Sequence, residues 1–103
     1  MIAIVKYNAG NILALSGALT KLGYDNIISD DGKEIRNASK IILPGPGDAA
    51  PAMKYLRDRE LDRLIPSLKQ PVLGICLGFQ LMCRYSEETE KDCLDIFNTS
   101  VRM

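Results

Sequence analysis

At 103 residues the chain is one small domain at most, and 47% of those residues are apolar. A folded chain of this size buries roughly 60–70% of the surface its unfolded form exposes, so a real core is affordable. Thirteen Lys and Arg balance thirteen Asp and Glu, which leaves no net field to recruit nucleic acid or an anionic membrane. Three cysteines without framework spacing suit a reducing cytoplasm and not a disulfide scaffold, and the sequence contains no histidine.

The chain opens on Ile2-Ala3-Ile4-Val5, an apolar run that reads as a buried parallel strand. It stops at Lys6, short of a signal-peptide core, and no later run reaches membrane-spanning length. A loop over Tyr7–Asn11 follows. Ile12, Leu15, Ser16, Leu19 and Leu22 then recur at helical spacing, with Gly23 placed to end the helix. Asn26–Ser29 is a weaker strand and Lys40–Leu43 a stronger one. Asp48 is positioned to cap a second helix, because Pro51 falls in its first turn, where a missing N–H costs nothing. That helix carries Met53, Leu56, Leu61, Leu64 and Ile65 until Pro66 interrupts it. Val72–Ile75 is a further buried strand, and a third helix is expected from Leu77 to about Ser86, burying Leu77, Leu81 and Met82. Residues 87–91 read as a charged loop, and Leu94, Ile96 and Val101 hint at a last strand.

Strand, helix, strand, strand, helix, strand, helix is the pattern of an α/β domain with an open, doubly wound, mostly parallel sheet. Right-handed crossovers place the loops after its strands on one edge, where such sheets bind ligands. Tyr7–Asn11, Pro44–Asp48 and the turn at Cys76 are therefore expected to converge there.

Gly74-Ile75-Cys76-Leu77-Gly78 has the form of a nucleophile elbow, with cysteine in place of serine. Small residues two positions either side of Cys76 let strand and helix approach. The thiol then stands at a helix N-terminus, where the dipole and free N–H groups favour thiolate. The Leu77 N–H faces the same space and can donate to an oxyanion. The plainer reading is a buried cysteine closing a core strand. Pro44-Gly45-Pro46-Gly47 tips the balance, since it follows the neighbouring strand. Its glycines let backbone approach a ligand closely, and its prolines stiffen the ledge. As an ordinary strand-to-helix turn it would need no such neighbour. Gln80, one helical turn past Cys76, can face the same pocket, although by itself it reads as a solvated residue. Glu87 and Glu88 read as a solvated helix end, Asn8 and Asn11 as turn formers around Gly10, and Cys83 and Cys93 as structural thiols.

Leu43-Pro44-Gly45-Pro46-Gly47 together with Pro71 through Leu81 resembles the class I, triad-type glutamine amidotransferases, whose fold is flavodoxin-like. Within that class the likeness is to the glutaminase subunits of imidazole glycerol phosphate synthases. Tyr7-Asn8-Ala9-Gly10-Asn11 is similar to their first loop, Phe79 stands near their usual Met, and Ser86-Glu87-Glu88 matches their elbow helix end. The resemblance covers essentially the whole chain, which looks like the N-terminal part of a single domain about twice as long. It implies a Cys76 thiolate that attacks the glutamine side-chain amide, loses ammonia, and leaves a glutamyl thioester for water to hydrolyse. Leu77 and Gly47 would form the oxyanion hole, while Gly45, Gln80 and Glu88 would bind glutamine. Asn11 would face the partner, a (βα)8-barrel cyclase that receives the ammonia. No cofactor or metal is implied.

Two departures stand out. Pro46 has no N–H to donate where the family has a residue with a free one, which leaves Gly47 and Leu77 as the donors. The triad's His and acid are absent from these 103 residues, so the chain alone is expected to be inactive and, with part of its sheet uncovered, to self-associate. Other readings remain: the glutaminase of another synthase, a cysteine hydrolase of the protease and chaperone type, or a flavodoxin-like binding or thiol-sensing module. Leu77 argues against the hydrolase. Lys6-Tyr7-Asn8, without a carboxylate, argues against a phospho-receiver.

Overall fold

A computed structural model describes residues 1–7, 11–45, 47–75, 81–86, 91–92 and 97–101, those from residue 83 onward by backbone alone. Strands β1 (Ile2–Val5), β2 (Asn26–Ser29), β3 (Lys40–Leu43) and β4 (Val72–Gly74) form one parallel sheet in the order β2-β1-β3-β4. Ile2 lies opposite both Asn26 and Lys40, and Leu43 opposite Gly74. The order reverses between β1 and β3, so the sheet is doubly wound and its switch point lies between the loops that leave those two strands.

One face of the sheet carries the core. Ala3, Val5, Ile41 and Leu43 cluster with residues of three helices: Ile35 of α2 (Gly32–Asn37), Ala52, Met53 and Leu56 of α3 (Ala49–Asp58), and Leu61 and Ile65 of α4 (Leu61–Ser67). Strand alternation turns Ile2, Ile4 and Ile42 to the other face, beside α1 (Ile12–Lys21). There the cover is thin. No residue of α1 is buried, and an open groove of about 460 Å³ runs past Ile2, Leu19, Ile42 and Leu73.

The helix ends follow local chemistry. Gly23 (φ 87°) terminates α1 with its N–H on the Thr20 carbonyl, while the Tyr24 N–H reaches the Leu19 carbonyl; this paired closure needs a left-handed residue, which glycine supplies. Ile12, Leu15, Ser16 and Leu19 are the half-buried stripe that the spacing predicts. Leu22 departs from it: it is the C-cap, its N–H still on the Ala18 carbonyl at 3.1 Å, and its side chain is 72% exposed. Asp48 caps α3 as expected, its carboxylate accepting from the Ala50 N–H.

Five expectations need correcting. A short helix, α2, lies between β2 and β3; Asp31 caps it by accepting from the Lys33 N–H at 2.8 Å, and its single buried residue, Ile35, gives no periodic signal. The expected single helix after Asp48 is two, because Glu60 adopts a left-handed φ of 60° that no helix continues through. Pro66 lies inside α4, which runs one residue further to Ser67 before Leu68 turns extended, so the helix ends just after the proline and not at it. The helix expected to reach Ser86 ends earlier. Residues 81–82 are helical and buried as expected, but Cys83–Ser86 is a strand, β5. It pairs antiparallel with β6 (Lys91–Asp92) and parallel with β7 (Phe97–Val101), which satisfy its backbone in place of a helical ladder. Lys91 thus belongs to a strand and not to a loop. The expected burial of Leu77, and Leu94 and Ile96 of the hinted strand, lie outside the described residues; Val101 of that strand is in β7.

Candidate active site at the carboxyl edge of the sheet

The loops that leave β1, β3 and β4 emerge side by side at the carboxyl edge, because those strands are adjacent and parallel. The Ile75 N–H donates to the Leu43 carbonyl at 3.0 Å, extending the β3–β4 ladder to the last residue before Cys76. The chain is therefore fixed to the sheet up to the elbow, and Pro44–Asp48 begins on the neighbouring strand at the same level. Of the three loops expected to converge, those after β1 and β3 meet at Tyr7 and Pro44; the turn at Cys76 lies outside the described residues.

The first two loops are also bonded to one another. Tyr7, 4% exposed, points its hydroxyl at the switch point and donates to the Pro44 carbonyl. Burial raises the phenol well above its ordinary pKa, so it stays neutral and remains a donor. Beyond Pro44 the loop opens towards solvent: Gly45 is half-buried, Gly47 and Asp48 are exposed, and α3 starts at Ala49. The backbone ledge thus sits between a buried anchor and a helix N-terminus.

Asn11 is exposed in the left-handed region at φ 63° and precedes α1, its carbonyl accepting from the Leu15 N–H at 3.1 Å. Asparagine tolerates that conformation better than most residues, which fits its reading as a turn former. Its side chain makes no capping bond. Cys76, Leu77, Gln80 and Glu88 lie outside the described residues, as does Pro46.

One polar cluster gave no signal in the sequence. Asp30, just past β2, accepts from the Tyr55 hydroxyl at 2.7 Å and from the Arg59 Nε at 3.0 Å. The Arg59 guanidinium also lies 3.5 Å from the centre of the Tyr55 ring. The Tyr55 bond foremost, with Arg59 beside it, holds the Asp30 carboxyl below its usual range. The residues are separated by 25 and 29 positions, and only the crossover through β3 and α3 brings them together.

Residues 5–98 match the family model described as glutamine amidotransferase class-I. The chain is 50% identical over 101 residues to an imidazole glycerol phosphate synthase subunit HisH from Bacteroides fragilis, covering 98% of this chain and 52% of that protein. A protein of the same name from Bacteroides thetaiotaomicron is 52% identical over the same share of each. One from Idiomarina loihiensis is 44% identical over 92% of this chain and 48% of its own length. The chain spans about half the length of these curated relatives.

Proposed function

The chain belongs to the class-I glutamine amidotransferases, and from that premise we propose that it is the nucleophile-bearing, N-terminal part of a single amidotransferase domain that releases ammonia from glutamine. The observation that carries this reading is the junction at the sheet edge. The Leu43 carbonyl holds the Ile75 N–H at 3.0 Å, so the chain runs towards Cys76 and into the Pro44–Gly47 ledge from adjacent parallel strands. Cys76 attacks the side-chain amide carbon of glutamine. The oxyanion is held by the Leu77 and Gly47 N–H groups, and substrate by Gly45, Gln80 and Glu88. Ammonia departs with a proton, and water then cleaves the glutamyl thioester to glutamate and the free thiol.

The sequence has no histidine to move those protons, and the family resemblance puts the triad's acid beside that histidine in the further length. The chemistry therefore belongs to the chain joined with the further length its relatives have. Those relatives are named as subunits of imidazole glycerol phosphate synthase, and the resemblance makes the ammonia the feed of that synthase in histidine biosynthesis. Its cyclase partner, a (βα)8 barrel, docks at the loop carrying Asn11. The cysteine usage supports a reducing cytoplasm, and no helix among the described residues is long and apolar enough to cross a membrane.

The test is glutamate release from the purified chain, alone and co-expressed with the complementary half of a Bacteroides relative. The expected result is turnover only in the complemented sample, abolished by Cys76→Ala. In a well-studied triad, removing one member costs on the order of 10⁴–10⁶ in turnover. Glutaminase activity that survives Cys76→Ala would overturn the assignment.

A further inference from the structure

The bond from the Tyr7 hydroxyl to the Pro44 carbonyl joins the loop after β1 to the loop after β3 across the switch point of the sheet. A peptide unit is planar and trans, so its C=O and N–H point in opposite directions. Fixing the Pro44 carbonyl therefore fixes the N–H of Gly45. The Pro44 carbonyl is drawn towards a phenol that is 4% exposed, so the Gly45 N–H is turned the other way, to the half-exposed side of the ledge. Next in the sequence, Pro46 has its φ locked by its ring. Between the fixed 44–45 peptide and the N–H of Gly47 few free torsions remain. A glycine-rich loop would otherwise sample many orientations, at an entropic cost to any ordered donor array.

We infer that Tyr7 is a positioning residue: by holding the Pro44 carbonyl it orients the ledge whose Gly45 amide meets glutamine and whose Gly47 amide meets the oxyanion. Tyr7 does not touch substrate. It acts through one peptide plane, and its aromatic ring fills the core whether or not the hydroxyl is present. The inference rests on the amidotransferase reading only for what the amides receive.

Acylation and alkylation of Cys76 separate the two roles. Attack on p-nitrophenyl acetate forms an S–C bond through a tetrahedral oxyanion and expels p-nitrophenolate, leaving an acetyl thioester. Displacement of iodide from iodoacetamide by the same thiolate forms no oxyanion. The readout is the ratio of the two rates at Cys76, followed by peptide mapping against Cys83 and Cys93 in the 103-residue chain. Tyr7→Phe should lower that ratio roughly tenfold, less than outright loss of a donor, because a mis-aimed amide still lies nearby. It should also shift the Gly45 amide nitrogen resonance while leaving the core resonances in place. Replacing Tyr7 with p-aminophenylalanine, which keeps ring and donor, should restore the ratio.

A folded Tyr7→Phe chain with the unaltered ratio would overturn the inference, as would equal losses in both variants. If Tyr7→Phe does not fold, the unaltered chain decides. The Tyr7 hydroxyl proton should exchange far more slowly than that of Tyr24, and exchange at the Tyr24 rate would refute the bond. Failure of the underlying reading looks different: Cys76 of the unaltered chain would be acylated no faster, relative to its alkylation, than Cys83 or Cys93.

Discussion

Asp30 shows how much three side chains can fix when the fold brings them together. Its carboxylate accepts from Tyr55 and Arg59, tying the end of β2 to the last turns of α3. With side chains of Asp30 and Arg59 34% and 39% exposed, solvent screens the ion pair, whose worth is at most about 1 kcal/mol. The neutral Tyr55 donor adds a similar amount. Because the folded carboxyl titrates below its ordinary range, this stability is fully present above the unfolded value and is lost as pH falls through the folded one. Tyr55→Phe is therefore expected to cost about 1 kcal/mol at neutral pH. Its melting temperature should fall less steeply than that of the unaltered chain below about pH 4. Parallel melting curves at pH 7 and pH 3 check this, and an equal deficit at both would rule out the carboxylate as the acceptor that matters.

At the scale of elements, the break between α3 and α4 is set by one backbone conformation. Glu60 stands at φ 60°, ψ 19°, a region that costs a residue with a Cβ about 1 kcal/mol or more relative to glycine. The turn turns the chain so that Leu61 and Ile65, 1% exposed each, enter the core cluster beside Leu56. Glu60→Gly is expected to raise stability by roughly 0.5–1 kcal/mol, part of the relief being offset by the freer unfolded chain. Urea denaturation measures it, and a lower midpoint at unchanged slope would mean the Glu60 side chain contributes a contact worth more than the strain. The other missed helix, α2, does have a sequence signal in Asp31-Gly32-Lys33-Glu34, the spacing of a capping box. Glu34 spends its carboxylate instead on the Ser29 hydroxyl, at 2.7 Å.

For the molecule as a whole, the two faces of the sheet are unequal. Three helices seal one, while the α1 side leaves Leu13, Leu22 and Leu73 at 81%, 72% and 57% exposure. Leu73 is on β4, at the end of the strand order, beside the groove lined by Ile2 and Ile42. Apolar surface next to an edge strand favours association. The isolated chain is accordingly expected to sediment with a mass that rises with concentration, and Leu73→Glu to weaken that rise. A monomer at every concentration would refute it.

The parallel α/β class, the strands at Ile2, Asn26, Lys40 and Val72, the cap at Asp48 and the stop at Gly23 were all determined by the sequence. Each depends on residues within a few positions of one another: apolar runs, a carboxylate before a helix, a glycine after one. That the Gly-rich loop and the chain into Cys76 leave neighbouring strands was legible too, since parallel crossovers leave little choice about which strand ends share an edge. Tertiary structure decided the rest. The exposure of Leu22 at the end of the α1 stripe was set by packing, and the fate of Cys83–Ser86 by the strands that pair with it. The Asp30 cluster and the bond from Tyr7 to Pro44 join residues 25 to 37 positions apart. No local pattern encodes such a meeting, because its partners are chosen by the crossover geometry of the sheet and by which polar groups burial leaves within reach of each other.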